Sequence, residues 1–144
     1  MKKFKFNLEK IMQLRKFKEE ECKIALGQAI SILNNIENEI KATALKRFNA
    51  AEERFNDPLE IASWDNYILR LEQTAERLTE QAAQAEMVVE EKRALYMEAS
   101  KDLKAIEKLK DKQKKDHRKE MFNYQMSEVD DITAARYVNN EHAQ

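Results

Sequence analysis

A chain of 144 residues could form one ordinary domain, but its single Gly and single Pro leave almost nothing from which to build turns, so two or three long helices are the expected count. Charged residues make up 37% of the chain and hydrophobic ones 42%, with a net charge of -1, a balance that suits surface-rich helices and excludes a large globular core. No apolar run approaches the ~18 residues that would span a bilayer. The opening Met1-Lys2-Lys3-Phe4-Lys5-Phe6 leads into no hydrophobic signal segment, which gives the expectation of a cytoplasmic protein. Cys22 stands alone and reads as a small apolar side chain on a helix, with no redox role.

In chain order, a polar, basic segment leads into a first helix predicted over residues 7–55, with Asn7 suited to cap its first turn. Phe4, Leu8, Ile11, Cys22, Ala25, Ala29, Ile32 and Ile36 fall on seven-residue spacing, interrupted by the polar Arg15 and Lys18. From Ile32 the rule changes: Ile32, Ile36, Ile40, Ala44 and Phe48 follow at steps of four, an insertion relative to the heptad that unwinds a supercoil locally. The stripe resumes as Ala51 and Phe55. Between residues 36 and 55 the helix pair is therefore expected to be straighter, with some large side chains partly uncovered.

Residues 56–60 are the only break. Asn56 tolerates the left-handed conformation that ends a helix, Asp57 can accept from free amides, Pro58 fits a first helical position and Glu60 stands three after the cap. The second helix, predicted over residues 60–120, carries the most regular pattern in the chain. Ile61, Trp64, Ile68, Leu71, Ala75, Leu78, Ala82, Ala85, Val89, Lys92, Tyr96, Ala99, Leu103 and Ile106 alternate steps of three and four, and only Lys92 interrupts their apolar line. A straight helix drifts about 20° per heptad from such a line, so the seam must wind left-handedly around a partner helix. Because the connection is short, that partner is the first helix of the same molecule. The fold class is therefore all-α: a long two-helix antiparallel coiled coil, an α-hairpin, with a C-terminal helical extension. Folding about Asp57 and Pro58 pairs residues whose numbers sum to roughly 116.

Past Lys112 the second helix runs out of first helix, so the end of the chain is expected to project. In the extension, residues 121–144, the apolar Met121, Phe122, Tyr124, Met126, Val129 and Ile132 suit either a second short amphipathic helix or docking on another protein, with disorder expected after Val138. Charge is uneven. Residues 1–24 carry eight Lys or Arg against four Glu, and residues 101–119 carry nine against four acids, so these stretches hold +4 and +5 and the remainder holds -10. A hairpin gathers both basic stretches at one end, which suits an acidic protein channel or a nucleic-acid backbone. A charge run can equally be just a solvated helix face.

Catalytic chemistry finds no support. Gly27 stands alone inside a predicted helix, so no phosphate-cradling loop exists. His117 and His142 have no neighbouring Cys and no Glu three residues earlier, so neither a zinc site nor a di-iron helix motif is expected. Carboxylates on an exposed coiled coil have nothing to desolvate a pair and separate its pKa values. The expectation is a protein without catalytic residues, metal, cofactor or small-molecule substrate.

The opening Phe4-Lys5-Phe6-Asn7-Leu8-Glu9-Lys10-Ile11-Met12-Gln13-Leu14-Arg15, then Glu19-Glu20-Glu21 and Leu26-Gly27-Gln28-Ala29, resembles the N-terminal pattern of the bacterial flagellar export protein FliJ. A second match runs from Lys104-Ala105-Ile106-Glu107-Lys108-Leu109-Lys110-Asp111-Lys112 through His117-Arg118-Lys119-Glu120 to Ser127-Glu128-Val129-Asp130-Asp131-Ile132. The resemblance covers essentially the whole chain, with the middle, residues 30–93, alike only in pattern. It implies a component of the flagellar type III export apparatus, similar to the central stalk of rotary ATPases, acting at the cytoplasmic face of the inner membrane. Its implied partners are the hexameric export ATPase FliI, the cytoplasmic domain of the export gate FlhA, and export chaperones. On that implication, charge and geometry put the ATPase contacts on Arg15, Lys16, Lys108, Lys110, Lys112, Lys115, Arg118 and Lys119. The gate contact falls near the turn, on Phe48, Phe55, Trp64 and Tyr67, unless these four simply pad the seam.

Two other readings use the same pattern. A nucleic-acid-binding coiled coil would employ the basic end, but Phe122 and Tyr124 lie beyond the densest lysines rather than among them, so direct nucleic-acid binding is not expected. A structural dimer would pair the seams of two chains, whereas a monomeric hairpin covers its own seam.

Overall fold

The structure is a computed structural model and describes residues 3–142. It is all-α, with α1 (Glu9–Asn56), a 3-10 turn (Pro58–Glu60) and α2 (Ile61–His142) in chain order, and the two helices pack against each other. No helix among the described residues is long and apolar enough to cross a membrane. The chain divides into two compact units, Phe17–Ser100 and Met1–Lys16 with Lys101–Gln144.

In the unit Phe17–Ser100 the α2 seam follows its predicted line. Each of its predicted positions from Ile61 to Ala99 is buried or half-buried, and Leu71, Leu78, Val89 and Ala99 are the most enclosed. Small residues stand on this line at Ala75, Ala82 and Ala85, which are half-buried, and at Ala99, which is buried. No side chain among the described residues is fully enclosed, because each seam residue in a two-helix layer has solvent at its flank.

The first helix departs from expectation. Its stutter at residues 32–48 is not realised. Instead α1 turns Glu19, Cys22, Leu26, Ala29, Leu33, Ile36, Ile40, Thr43 and Ala50 toward the seam, an unbroken run of steps of three and four in which Arg47 fills the one gap and Arg54 follows. Ala44, Phe48, Ala51 and Phe55 lie outside that line and are exposed, as is Ile32. The cause lies in the partner. Two helices sharing one supercoil must share its period, and a four-residue insertion in α1 would walk its stripe away from the strict heptad of α2. Arg47 and Arg54 make this register tolerable. Their guanidinium groups reach across to α2, Arg47 to Glu72 at 2.8 Å and Arg54 to Asp65. Both pairs are exposed, so solvent screening leaves each only a small contribution. Large side chains are thus left uncovered near the turn, but by register rather than by unwinding.

The turn is also built differently. No non-Gly residue among those described has positive φ, so Asn56 does not take the left-handed conformation, and Asp57 makes no side-chain capping bond. A backbone bond closes the turn instead, with the Glu60 N–H donating to the Asp57 carbonyl at 3.3 Å. The 3-10 turn moves the centre of the hairpin to lie between Leu59 and Glu60. Arg47 with Glu72 and Arg54 with Asp65 accordingly each sum to 119 instead of 116.

In the other unit, α1 begins at Glu9 rather than near Asn7. Residues 3–6 run in without helix, and the Glu9 N–H donates to the Phe6 carbonyl at 3.2 Å. Phe6 explains the shift: it is buried with Met12 and Ile106 in a cluster that Phe4, Leu8 and Leu103 flank. The predicted Ile11 stays 43% exposed. An extended chain rises about 3.3 Å per residue against 1.5 Å for a helix, so this short lead-in reaches farther along α2 than a helical turn would. Phe4 meets the ring of His117 at 5.6 Å, and coverage of α2 extends past the expected limit at Lys112.

Beyond that contact α2 does not stop at residue 120. It continues as the same helix to His142, so no separate extension helix exists and residues 139–142 are helical. The sequence holds no Gly or Pro after Pro58 with which to end it. Residues 122–141 are exposed along their whole length. The expectation of disorder at residues 143 and 144 lies outside the described residues.

Candidate functional site

The basic end can be built from heptad geometry alone. In α2 the seam takes Leu103, Ile106, Lys110, Gln113 and His117, all buried or half-buried. Residues midway between them therefore face away, and three or four residues apart they stack into a line. Lys101, Lys104, Lys108, Lys112, Lys115 and Lys119 occupy that outer side and are exposed, with Arg118 beside them. The unit that holds them, residues 1–16 and 101–144, carries 16 Lys or Arg against 10 acids, a net +6. Asp111 shares this side, seven residues from both Lys104 and Arg118, and the remaining like charges at this spacing repel one another.

The eight predicted cations do not share one fate. Lys108, Lys112, Lys115, Arg118 and Lys119 lie on the exposed outer side of α2, and Lys16 is exposed on α1. Lys110 and Arg15 are seam residues. Lys110 Nζ lies 3.2 Å from Glu9 Oε2, and Arg15 Nη1 donates to the Asp102 carbonyl at 2.9 Å. The hydrogen bond from Lys110, helped by one from Gln13 at 3.2 Å, holds the Glu9 carboxyl below its ordinary range. These two cations join helix to helix within this unit. Lys101 and Lys104 were not among the predicted contacts, although they continue the spacing of Lys108 and could have been found by it.

The four predicted apolar anchors also separate. Phe48 and Phe55 are 62% and 87% exposed on one line of α1 with Ala51. Trp64 and Tyr67 are half-buried. They pack edge to face at 6.2 Å in a recess walled by Lys46, Asn49, Ala50 and Glu53 of α1, and Arg70 lies over the Tyr67 ring at 5.8 Å. Trp64 and Tyr67 therefore pad the seam near the turn, whereas the two Phe rings are free.

Among the described residues no group of three or more His, Cys, Asp or Glu is arranged to hold a metal ion. The exposed features are a line of cations in one unit and the two rings Phe48 and Phe55 in the other. The family profile described as Flagellar FliJ protein matches residues 4–142. No curated protein and no solved structure matches the chain.

Proposed function

This chain belongs to the flagellar FliJ protein family, and on that premise we propose that it is a coiled-coil stalk that binds the hexameric export ATPase and couples it to the export gate and export chaperones. Family membership makes it a flagellar, export-related protein. The stalk reading goes further and places it, as a monomeric hairpin without catalytic chemistry, at the cytoplasmic face of the membrane that holds the apparatus.

The observation that carries the reading is the exposed line of Lys108, Lys112, Lys115 and Lys119 in a unit of net charge +6. Such a line suits the acidic lumen of a protein ring, because the charges sit on a helix whose other side is already fixed by seam contacts and so cost little to order. Lys16 and Arg118 would add to it, while Arg15 and Lys110 would act by holding the two helix segments together. Phe48 and Phe55 are the accessible apolar side chains for the gate, with Trp64 and Tyr67 holding the backbone beneath.

The test is a triple reversal, Lys108→Glu, Lys112→Glu and Lys115→Glu, in the full chain. All three residues are exposed, so the fold should keep its helicity by circular dichroism. Binding to the purified ATPase, and stimulation of its turnover, should fall by more than tenfold and depend steeply on salt. Unchanged binding and stimulation would remove the proposal.

A further inference from the structure

The outer line of α2 does not end where its lysines do. Phe122, Met126 and Val129 continue the same steps of three and four from Lys115 and Lys119, and they are 61%, 46% and 54% exposed. Ile132, 55% exposed, lies beside them, and Arg136 follows. The acidic residues of this segment fall elsewhere: Glu120 and Asp131 take heptad positions on the opposite side, and Glu128 and Asp130 lie on the two flanks, while farther back Asp111 stands beside the lysines. Coverage of α2 by the N-terminal segment reaches His117, and the residues beyond Met121 are all exposed to the last described side chain. One edge of a single helix thus presents cations and then apolar side chains over roughly 36 Å, with most of its anions averted.

We propose that this edge docks on an anionic lipid surface. A bilayer boundary suits an edge of this form because it is planar and requires no complementary groove, and it offers phosphate at one depth and hydrocarbon just below. The lysines reach headgroup phosphates on long flexible stems, while Phe122, Met126 and Val129 enter the acyl boundary at the same helix face. Each Lys near such a surface raises partitioning by about fivefold, so a line of three or four reaches useful affinity even though the apolar part is short. The averted acids avoid repulsion from the lipid charge. The contact goes beyond the ATPase reading above, although it draws on lysines of the same line.

Flotation of the full chain with vesicles tests it, using phosphatidylcholine with a third of phosphatidylglycerol and, separately, phosphatidylcholine alone. Two variants are compared: Phe122→Ser, Met126→Ser and Val129→Ser together, and Lys112→Glu, Lys115→Glu and Lys119→Glu together, with helicity followed by circular dichroism. The native chain should float with the anionic vesicles only, and each triple variant should lose more than tenfold in binding. No flotation with anionic vesicles, equal flotation with neutral ones, or full binding by the serine variant would each overturn the inference, the last because charge alone would then account for adsorption. A serine variant that floats normally but loses the ATPase would assign the edge to a protein partner and overturn it as well. The two proposals fail separately. If lysine reversal abolishes flotation but spares ATPase binding, the lipid contact stands and the stalk contact falls; the opposite pattern sinks the lipid contact alone.

Discussion

The register of α1 makes a sharp claim about which apolar residues hold the hairpin, and a pair of alanine variants measures it. Leu78 of α2 is 3% exposed in the seam, whereas Phe48 of α1 is 62% exposed outside it. Truncating a buried Leu to Ala removes its transfer energy and leaves a cavity, about 3 kcal/mol in a site that collapses only in part. For a chain of 144 residues the unfolding entropy is roughly 0.3 kcal/mol/K, so Leu78→Ala should lower Tm by about 10 °C. Phe48→Ala forfeits only the covered part of its ring, about 1 kcal/mol. The better helix propensity of Ala returns about 0.5 kcal/mol of that. The expected net loss is about 0.5 kcal/mol, or a shift of about 2 °C. Thermal unfolding followed by far-ultraviolet circular dichroism in dilute solution reads both. A fall in Tm with Phe48→Ala as large as that of Leu78→Ala would mean that Phe48 sits in the seam, and the heptad through Thr43, Arg47 and Ala50 would be wrong. If Tm holds, the same variant becomes a clean probe of gate binding, since any loss cannot come from unfolding.

Neighbours in sequence give a second check on register: Ala50 is 2% exposed and Ala51 is exposed, so Ala50→Asp should cost several kcal/mol by burying a charge while Ala51→Asp stays within about 1 kcal/mol in urea unfolding. Gly27 lies mid-helix, exposed, and a Cβ added there meets nothing within 4 Å. Gly27→Ala should therefore stabilise by about 1 kcal/mol, raising Tm by roughly 3 °C, and no gain would mean that α1 is not helical at that point. Glu9 has its carboxyl held low chiefly by Lys110, so its contribution is present above the unfolded value and lost as pH falls through the folded one. Glu9→Gln should be less stable than the native chain near neutral pH, and the two urea midpoints should converge below about pH 4. Parallel midpoint curves across that range would show that the pair contributes nothing.

Legibility differed between the two helices for a physical reason. In α2 the apolar side chains from Ile61 to Ile106 keep one heptad line with a single Lys in it, whereas Leu69, Met87, Val88, Leu95 and Met97 fall off it without such a period, and the burial observed follows that line. In α1 two lines compete. Ile40, Ala44, Phe48, Ala51 and Phe55 look the more apolar, and the line actually used passes through Thr43, Arg47 and Arg54. The choice cannot be read from α1 because it is made by α2, whose unbroken period sets the phase both helices must keep. The same holds for the cations. That Lys108, Lys112, Lys115 and Lys119 share a side follows from spacing, but that Lys110 meets Glu9 and Arg15 meets the Asp102 carbonyl depends on the register of the pair.

From its residues alone this protein was bound to be helical, doubled back near Pro58, and charged unevenly along its length, because helix propensity, a single Pro and the order of charges are local properties of the chain. Tertiary structure alone decided which stripe of α1 is hidden, that Phe6 rather than a capping Asn7 governs the start of α1, and that Phe48 and Phe55 remain free while Trp64 and Tyr67 do not. Each of those outcomes is a competition for one face of α2, and a competition is settled only when both helices are present.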